Sequence, residues 1–362
     1  MKKNFKSRLK LSLFISSFML TLTACQTVPQ QSTTLSIAQQ GSFSAGGTVI
    51  QSSGQFNEQK LFEPQGQTLH GDHASVFYQI PEHAKKHALV FLHGAGQSAR
   101  TWGSTPDGRE GFQNIFLRKG FPVYLVDQPR RGQAGQSTVA TEIKAQTNDQ
   151  AWFNMFRIGR YPNYFQGVQF PQDQAALNQY FRQMTPNTGA FDEQVISDAM
   201  VEVLKKSGNS VLITHSQGGG PGWWTAIKSN QVKGIVAYEP GSGFVFPEQE
   251  MPADMPSATG TLKATPVQLA QFMKLTKMPI IIYYGDNIPT EVHQNAGQDN
   301  WRVRLKMAKI WVDTINAHGG KATLVHLPEI GIYGNTHFPF SDLNNMQIAE
   351  LLDNWLQQQY LN

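Results

Sequence analysis

Short unbroken apolar runs alternate along this chain with amphipathic stretches whose apolar residues recur at helical spacing. The runs Ala88–Leu92, Val123–Val126, Val211–Thr214, Ile235–Tyr238, Ile280–Tyr284 and Thr323–Leu327 lack polar alternation, which predicts strands covered on both faces. Gly41–Ser53 and His73–Ile80 also read as strands, with a Gly-rich turn region between them. Helices are predicted over Glu110–Lys119, Glu193–Lys206, Pro221–Ser229, Trp301–Ala317 and Asn344–Gln358. This alternation predicts an α/β fold, a mostly parallel, twisted sheet with helices on both faces.

Two stretches break the rhythm, about 129–192 and about 240–277. Both are rich in Pro, Gly and aromatics, among them Trp152, Phe153, Phe156, Tyr161, Tyr164, Phe165 and Phe170. Loops of that length without structure of their own are uncommon, so both are expected to be cap segments over the C-terminal ends of the strands. The aromatic residues would form the cap's own core, with some lining an acyl or aromatic pocket.

The N-terminus changes where such a domain would work. Lys2, Lys3, Lys6, Arg8 and Lys10 precede the apolar run Leu11–Leu22, the layout of a secretory signal rather than a spanning helix. The run closes on Leu22-Thr23-Ala24-Cys25, which is similar to the bacterial lipobox, with Cys25 as the residue that receives lipid. Residues 1–24 are therefore expected to be a removed leader and 25–41 a lipidated, polar tether. The α/β domain would then run over 42–362. Membrane attachment through Cys25 and residence in the bacterial cell envelope follow, in the outer membrane facing the periplasm for a Gram-negative source.

Cys25 is the one cysteine, so no disulfide forms within the chain. Removing the leader takes away five of the 30 Lys+Arg and none of the 26 Asp+Glu, leaving a formal charge of −1. That balance gives no electrostatic footprint for nucleic acid.

Chemistry-bearing residues collect just after the strand ends, where ligands bind in open α/β sheets. Thr214-His215-Ser216-Gln217-Gly218 lies between an apolar run and a helix, which puts Ser216 on a sharp turn with its hydroxyl exposed. Thr214 stands where the usual pattern has Gly, which is tolerable if the backbone there needs no positive φ. A serine needs a base. His337, in the loop after the last strand, is the candidate, whereas His326 falls inside a strand and His318 at a helix end. Glu239 and Asp286, each at a strand end, compete to orient the imidazole. Asp286 directly follows Gly285, which also fits a turn. The backbone amides of Ala95, in the Gly-rich His93-Gly94-Ala95-Gly96 loop, and of Gln217 are the candidate oxyanion donors. His93 is expected to brace that loop. His70, Asp72 and His73 read as a turn rather than a metal site, and no cofactor or metal is expected.

Several stretches of the chain resemble the bacterial α/β-hydrolases grouped as esterase 713-like. The likeness is carried by Thr214-His215-Ser216-Gln217-Gly218-Gly219-Gly220-Pro221-Gly222-Trp223 and Gly234-Ile235-Val236-Ala237-Tyr238-Glu239-Pro240. Thr105-Pro106-Asp107-Gly108-Arg109-Glu110-Gly111, Val126-Asp127-Gln128-Pro129 and Gly331-Ile332-Tyr333-Gly334-Asn335-Thr336-His337 extend it over most of the chain from Gly71. The resemblance implies the α/β-hydrolase fold, Glu239 as the acid at the end of the sixth strand, and metal-free hydrolysis of small carboxylic esters through an acyl-enzyme. Two other functions share these features: a non-catalytic envelope lipoprotein with a ligand-binding cleft, and an amidase or thioesterase with the same three side chains.

Overall fold

Eight strands pair into one sheet: β1 (Ile37–Ala45), β2 (Ala74–Pro81), β3 (Ala88–Leu92), β4 (Val123–Asp127), β5 (Ser210–His215), β6 (Val232–Tyr238), β7 (Pro279–Tyr284) and β8 (Lys321–His326). They come from a computed structural model that describes residues 34–362; the leader, Cys25 and most of the tether lie outside the described residues. The spatial order is β1-β2-β4-β3-β5-β6-β7-β8. β2 runs antiparallel to both β1 and β4, and every later pairing is parallel.

The central strands β3, β4 and β5 are buried at every position, as their unbroken apolar runs require. Helices α1 (Phe112–Arg118), α2 (Asp149–Met155), α3 (Gln174–Phe181), α4 (Glu193–Ser207), α5 (Gly219–Lys228), α6 (Leu269–Leu275), α7 (Ala296–Ala317) and α8 (Asn345–Gln358) accompany the sheet. The chain thus has the α/β-hydrolase fold. Among the described residues no helix is long and apolar enough to cross a membrane.

The structure departs from expectation near the N-terminus. β1 begins at Ile37, inside the stretch read as tether to residue 41, because its register with β2 satisfies a backbone that carries little apolar signal. The strand expected over Gly41–Ser53 breaks at Gly46 and Gly47, both at positive φ. Thr48–Gln51 then leaves the sheet to pair with Thr68–Gly71. The stretch 129–192 holds α2, α3 and a short antiparallel pair, Gly159–Arg160 with Asn163–Tyr164. The stretch 240–277 holds short strand pairs and α6.

Asp72 occupies the turn before β2 at φ 58°, and its carboxylate is a buried clasp. It accepts from Arg130 Nε and Nη2 at 2.8 Å each, and from both the amide and the hydroxyl of Thr138. These bonds hold the Asp72 carboxyl well below the usual carboxylate range against the upward push of burial. Breaking a buried pair leaves one charge uncompensated. Asp72→Asn should therefore lower the unfolding free energy by about 3–5 kcal/mol in urea titrations; a loss below about 1 kcal/mol would show that Arg130 finds other partners.

Candidate active site

Ser216 follows the last residue of β5 and opens a 3-10 turn, Ser216–Gly218, that runs into α5. Its φ of 53° is left-handed, a conformation that costs a non-glycine residue about 1–3 kcal/mol and persists only where the surroundings enforce it. The enforcement is visible in two close approaches. A methyl group on Gly94 would stand 2.6 Å from Ser216 Cβ, and one on Gly222 would stand 2.7 Å from Thr214 Cγ2. Thr214 itself lies within β5 and is not among the positive-φ residues, so the position needs no glycine.

Glu239 is placed by the same device one strand over. Tyr238 and His215 are partners in the β5–β6 register, so the residues after them leave neighbouring strands side by side. Glu239 also turns through a positive φ, 48°, and its amide donates to Tyr283 O at 2.8 Å. The Gly241 amide then donates to Ser216 O at 3.0 Å, tying the two turns together.

His337 arrives from the loop after β8. Its main chain is held from both sides, the amide donating to Phe156 O at 3.0 Å and the carbonyl accepting from His215 Nε2 at 2.9 Å. Its ring lies between Phe156 at 4.7 Å and Trp301 at 4.0 Å, centroid to centroid. Nδ1 donates to Glu239 Oε2 at 2.5 Å, which leaves Nε2 as the unprotonated nitrogen. Nε2 is buried and has no hydrogen-bond partner among the described residues.

The other carboxylate oxygen of Glu239 accepts from the Gly285 amide at 2.6 Å and from Arg157 Nη2. Arg157 and Glu239 are both fully buried. Burial pushes the Glu239 carboxyl up, but the Arg157 charge and the bond from His337 outweigh it and hold the group at about 2. Burial lowers His337 to about 4, the bond to Glu239 working in the opposite direction. Asp286 is engaged elsewhere. Its carboxylate accepts the amides of Asn287 at 2.6 Å and Gly334 at 2.7 Å, so it braces the loop that carries His337 without reaching the ring.

The Ala95 amide donates to no group among the described residues. The Gln217 amide, second in its 3-10 turn, is one of the orphan donors at a helix start. Both segments are clamped by Arg131, which donates from Nη1 to Gly94 O at 2.6 Å and from Nη2 to Gln217 Oε1 at 3.2 Å. His93, fully buried, lies against Gly94 O at 3.1 Å and accepts the Gln128 amide at 3.3 Å. His318 caps the end of α7 and meets Glu250 at 2.9 Å, and His326 ends β8. His70, Asp72 and His73 do not converge, and among the described residues no group of three His, Cys, Asp or Glu could hold a metal.

Arg157, Arg131 and Trp301 had no place in the sequence pattern that marks the site, and Phe156 stood there only as one of the cap aromatics. The one available signal for Arg157 was a lone charge inside the apolar run Phe153 to Ile158.

The sequence profile of the alpha/beta hydrolase family matches residues 89–331, which span the strands bearing Ser216 and Glu239. The chain belongs to this family. It is 26% identical over 327 residues to a probable secreted lipase, phiG, of a fungal species (strain ATCC 74256), covering 77% of this chain and 84% of that protein. It also superposes on a solved structure described as a novel bacterial esterase, with a TM-score of 0.72 and 29% identity over 91% of this chain and 98% of the other. The protein is a hydrolase of the α/β-hydrolase family.

The buried imidazoles carry a consequence for stability. His93 at about 3, His337 at about 4 and His215 well below its usual value are all neutral in the folded protein, burial being the first cause in each. The unfolded chain protonates them below about pH 6.5, so their contribution is present above that pH and lost as pH falls. Asp342, raised to about 7 by burial against its bonds from Thr336 and Asn335, and Glu193, also raised by burial, work the other way but are outnumbered by the histidines. Each net proton is worth about 1.4 kcal/mol per pH unit. The unfolding free energy should therefore fall steadily from pH 7 to pH 5, and a flat profile over that window would contradict the neutral-histidine assignment.

Proposed function

We propose that this protein is a serine esterase that cleaves carboxylic esters through an acyl-enzyme. In this reading Ser216 attacks the ester carbonyl while His337 Nε2 takes its proton, then returns it to the leaving alcohol. Glu239 fixes the tautomer of His337 and stabilises the imidazolium. The amides of Ala95 and Gln217 receive the oxyanion. Water, activated by the same imidazole, then releases the acid and regenerates Ser216.

The observation that carries the reading is the charge chain ending in a free base. A carboxylate held ionised by Arg157 accepts from Nδ1 of a buried imidazole whose Nε2 has no hydrogen-bond partner, and the hydroxyl of Ser216, on a strained turn, lies beside Gly241 together with the Trp301 indole that packs on that imidazole. No hydrogen bond joins Ser216 to His337 Nε2 among the described residues, and in this reading that bond forms as substrate binds. The resemblance to an esterase and to a probable lipase supports ester over amide hydrolysis. The leader and Cys25 support a lipid-anchored place in the cell envelope.

Ser216→Ala should remove turnover of 4-nitrophenyl acetate by at least about 10⁴-fold while circular dichroism stays native, and fluorophosphonate should label the parent protein only. Retained turnover or unchanged labelling would take Ser216 out of the mechanism. Glu239→Gln should cost on the order of 10⁴-fold in kcat, and Asp286→Asn far less; the reverse ranking would hand the acid's role to Asp286.

Arg157 is a positioning residue here. Replacing it with Leu lets the Glu239 carboxyl rise and removes a cation that depresses His337. Both changes move the acid limb of kcat/KM to higher pH, with a loss on the order of 10²-fold that Arg157→Lys partly restores. An unmoved acid limb would reduce Arg157 to a packing role.

A further inference from the structure

We propose that the Arg304 guanidinium is a carboxylate-binding group beside the proposed catalytic centre, so that the esters taken by this site carry an anionic carboxylate. The inference rests on the serine-esterase reading and names its substrate class.

Arg304 follows Trp301 by one turn of α7, and its guanidinium carbon stands 5.4 Å from the centre of the indole. The same indole lies 4.0 Å from the His337 ring. A methyl added at Gly241 would meet both the Ser216 hydroxyl, at 3.5 Å, and the edge of the Trp301 indole, at 3.7 Å. Serine hydroxyl and indole therefore border one small space. The Tyr284 hydroxyl donates to Pro240 O at 2.7 Å and lies 3.3 Å from Arg304 O, which fixes this part of α7 against the turn that follows Glu239.

The partners of Arg304 set it apart from the other cations near the strand ends. Arg157 has Glu239, Arg130 has Asp72 and Arg302 has Asp299, while Arg131, without a carboxylate, commits all three of its nitrogens to Asn187, Gly94 and Gln217. Among the described residues Arg304 has no carboxylate: Nη1 donates to Asn300 O at 2.7 Å and Asn300 Oδ1 at 2.5 Å, both uncharged, and Nε and Nη2 make no hydrogen bond. Arg304 is half-buried, and a cation drawn partly out of water costs free energy unless an anion answers it. Burial accordingly lowers Arg304 to about 10, and its charge is one of the influences that lower His337. The two free donor positions match the fork with which Arg binds carboxylates. Stacking on Trp301 uses the charge but leaves Nε and Nη2 without partners.

The test compares ester pairs that differ only in a terminal carboxylate, on the Leu35–Asn362 unit, which has its own sheet and core. Monoethyl adipate is set against ethyl hexanoate, and 6-acetoxyhexanoate against hexyl acetate, so the anion sits on either side of the scissile bond. Arg304→Met should lower kcat/KM for the anionic member of at least one pair by roughly 10- to 100-fold more than for its neutral partner, the size of a charged hydrogen bond. Arg304→Gln serves as the second variant should Met disturb folding. Ratios that stay within twofold in both pairs would overturn the proposal.

A binding arm separates this failure from failure of the esterase reading. In the Ser216→Ala background, calorimetric affinity for monoethyl adipate and for 6-acetoxyhexanoate should weaken about tenfold, for at least one of them, on adding Arg304→Met. Equal affinities for both would sink the carboxylate site even if Ser216 is catalytic. Weakened binding in a protein that neither turns over nor labels would keep the carboxylate site and remove the serine chemistry.

Discussion

A carboxylate with no exposure to water sits between a guanidinium and an imidazole at the ends of the strands, and much of the surrounding architecture serves to make that possible. Glu239 cannot stay ionised in such a place unaided, because an isolated buried carboxylate takes up a proton instead. Arg157 answers its charge from an insertion, Gly285 donates a main-chain amide from the end of β7, and His337 donates from the loop after β8. Three segments distant in sequence are thereby obliged to meet at one carboxyl group. Removing Arg157 would leave Glu239 with a charge it cannot solvate.

The strain stored in the main chain follows from the same requirement. Ser216 and Glu239 leave adjacent parallel strands, and ordinary extended backbone would have carried both side chains along the strand axes. Left-handed turns at φ 53° and 48° swing them off those axes, and the bond from Gly241 N to Ser216 O locks one turn to the other. Close packing at Gly94 keeps the serine turn from relaxing, because any larger side chain there would strike Ser216 itself. The sheet is thus a rigid frame with two deliberate distortions at its rim.

The frame was legible in the sequence because strands buried on both faces must be continuously apolar, and β3 through β7 announce themselves that way, whereas β8, expected to be covered on both faces, is an edge strand with exposed and half-buried positions. β1 did not, since an edge strand with one polar face owes its existence to pairing with β2 rather than to its own composition. The same asymmetry governs the site. Ser216, His337 and Glu239 could be singled out because local turn chemistry, chain order and family likeness all mark them. Arg157 carries no such mark: its meaning lies in Glu239, 82 positions away, and a lone arginine in an aromatic stretch says nothing about its partner. Trp301 was hidden for a related reason. On an amphipathic helix its spacing is that of any core residue, and only the position of His337 shows which part of the interior it faces.

One short stretch of the first insertion touches several parts of this arrangement. Met155 accepts the Trp301 indole proton, Phe156 holds the His337 main chain and stacks on its ring, and Arg157 neutralises Glu239. These three consecutive residues belong to no strand of the sheet. Heating that loosened only the insertion would free the His337 imidazole and the Trp301 indole and strip Glu239 of its cation while the β-scaffold stayed intact. Loss of turnover ahead of any spectroscopic melting is the natural signature of a protein built this way.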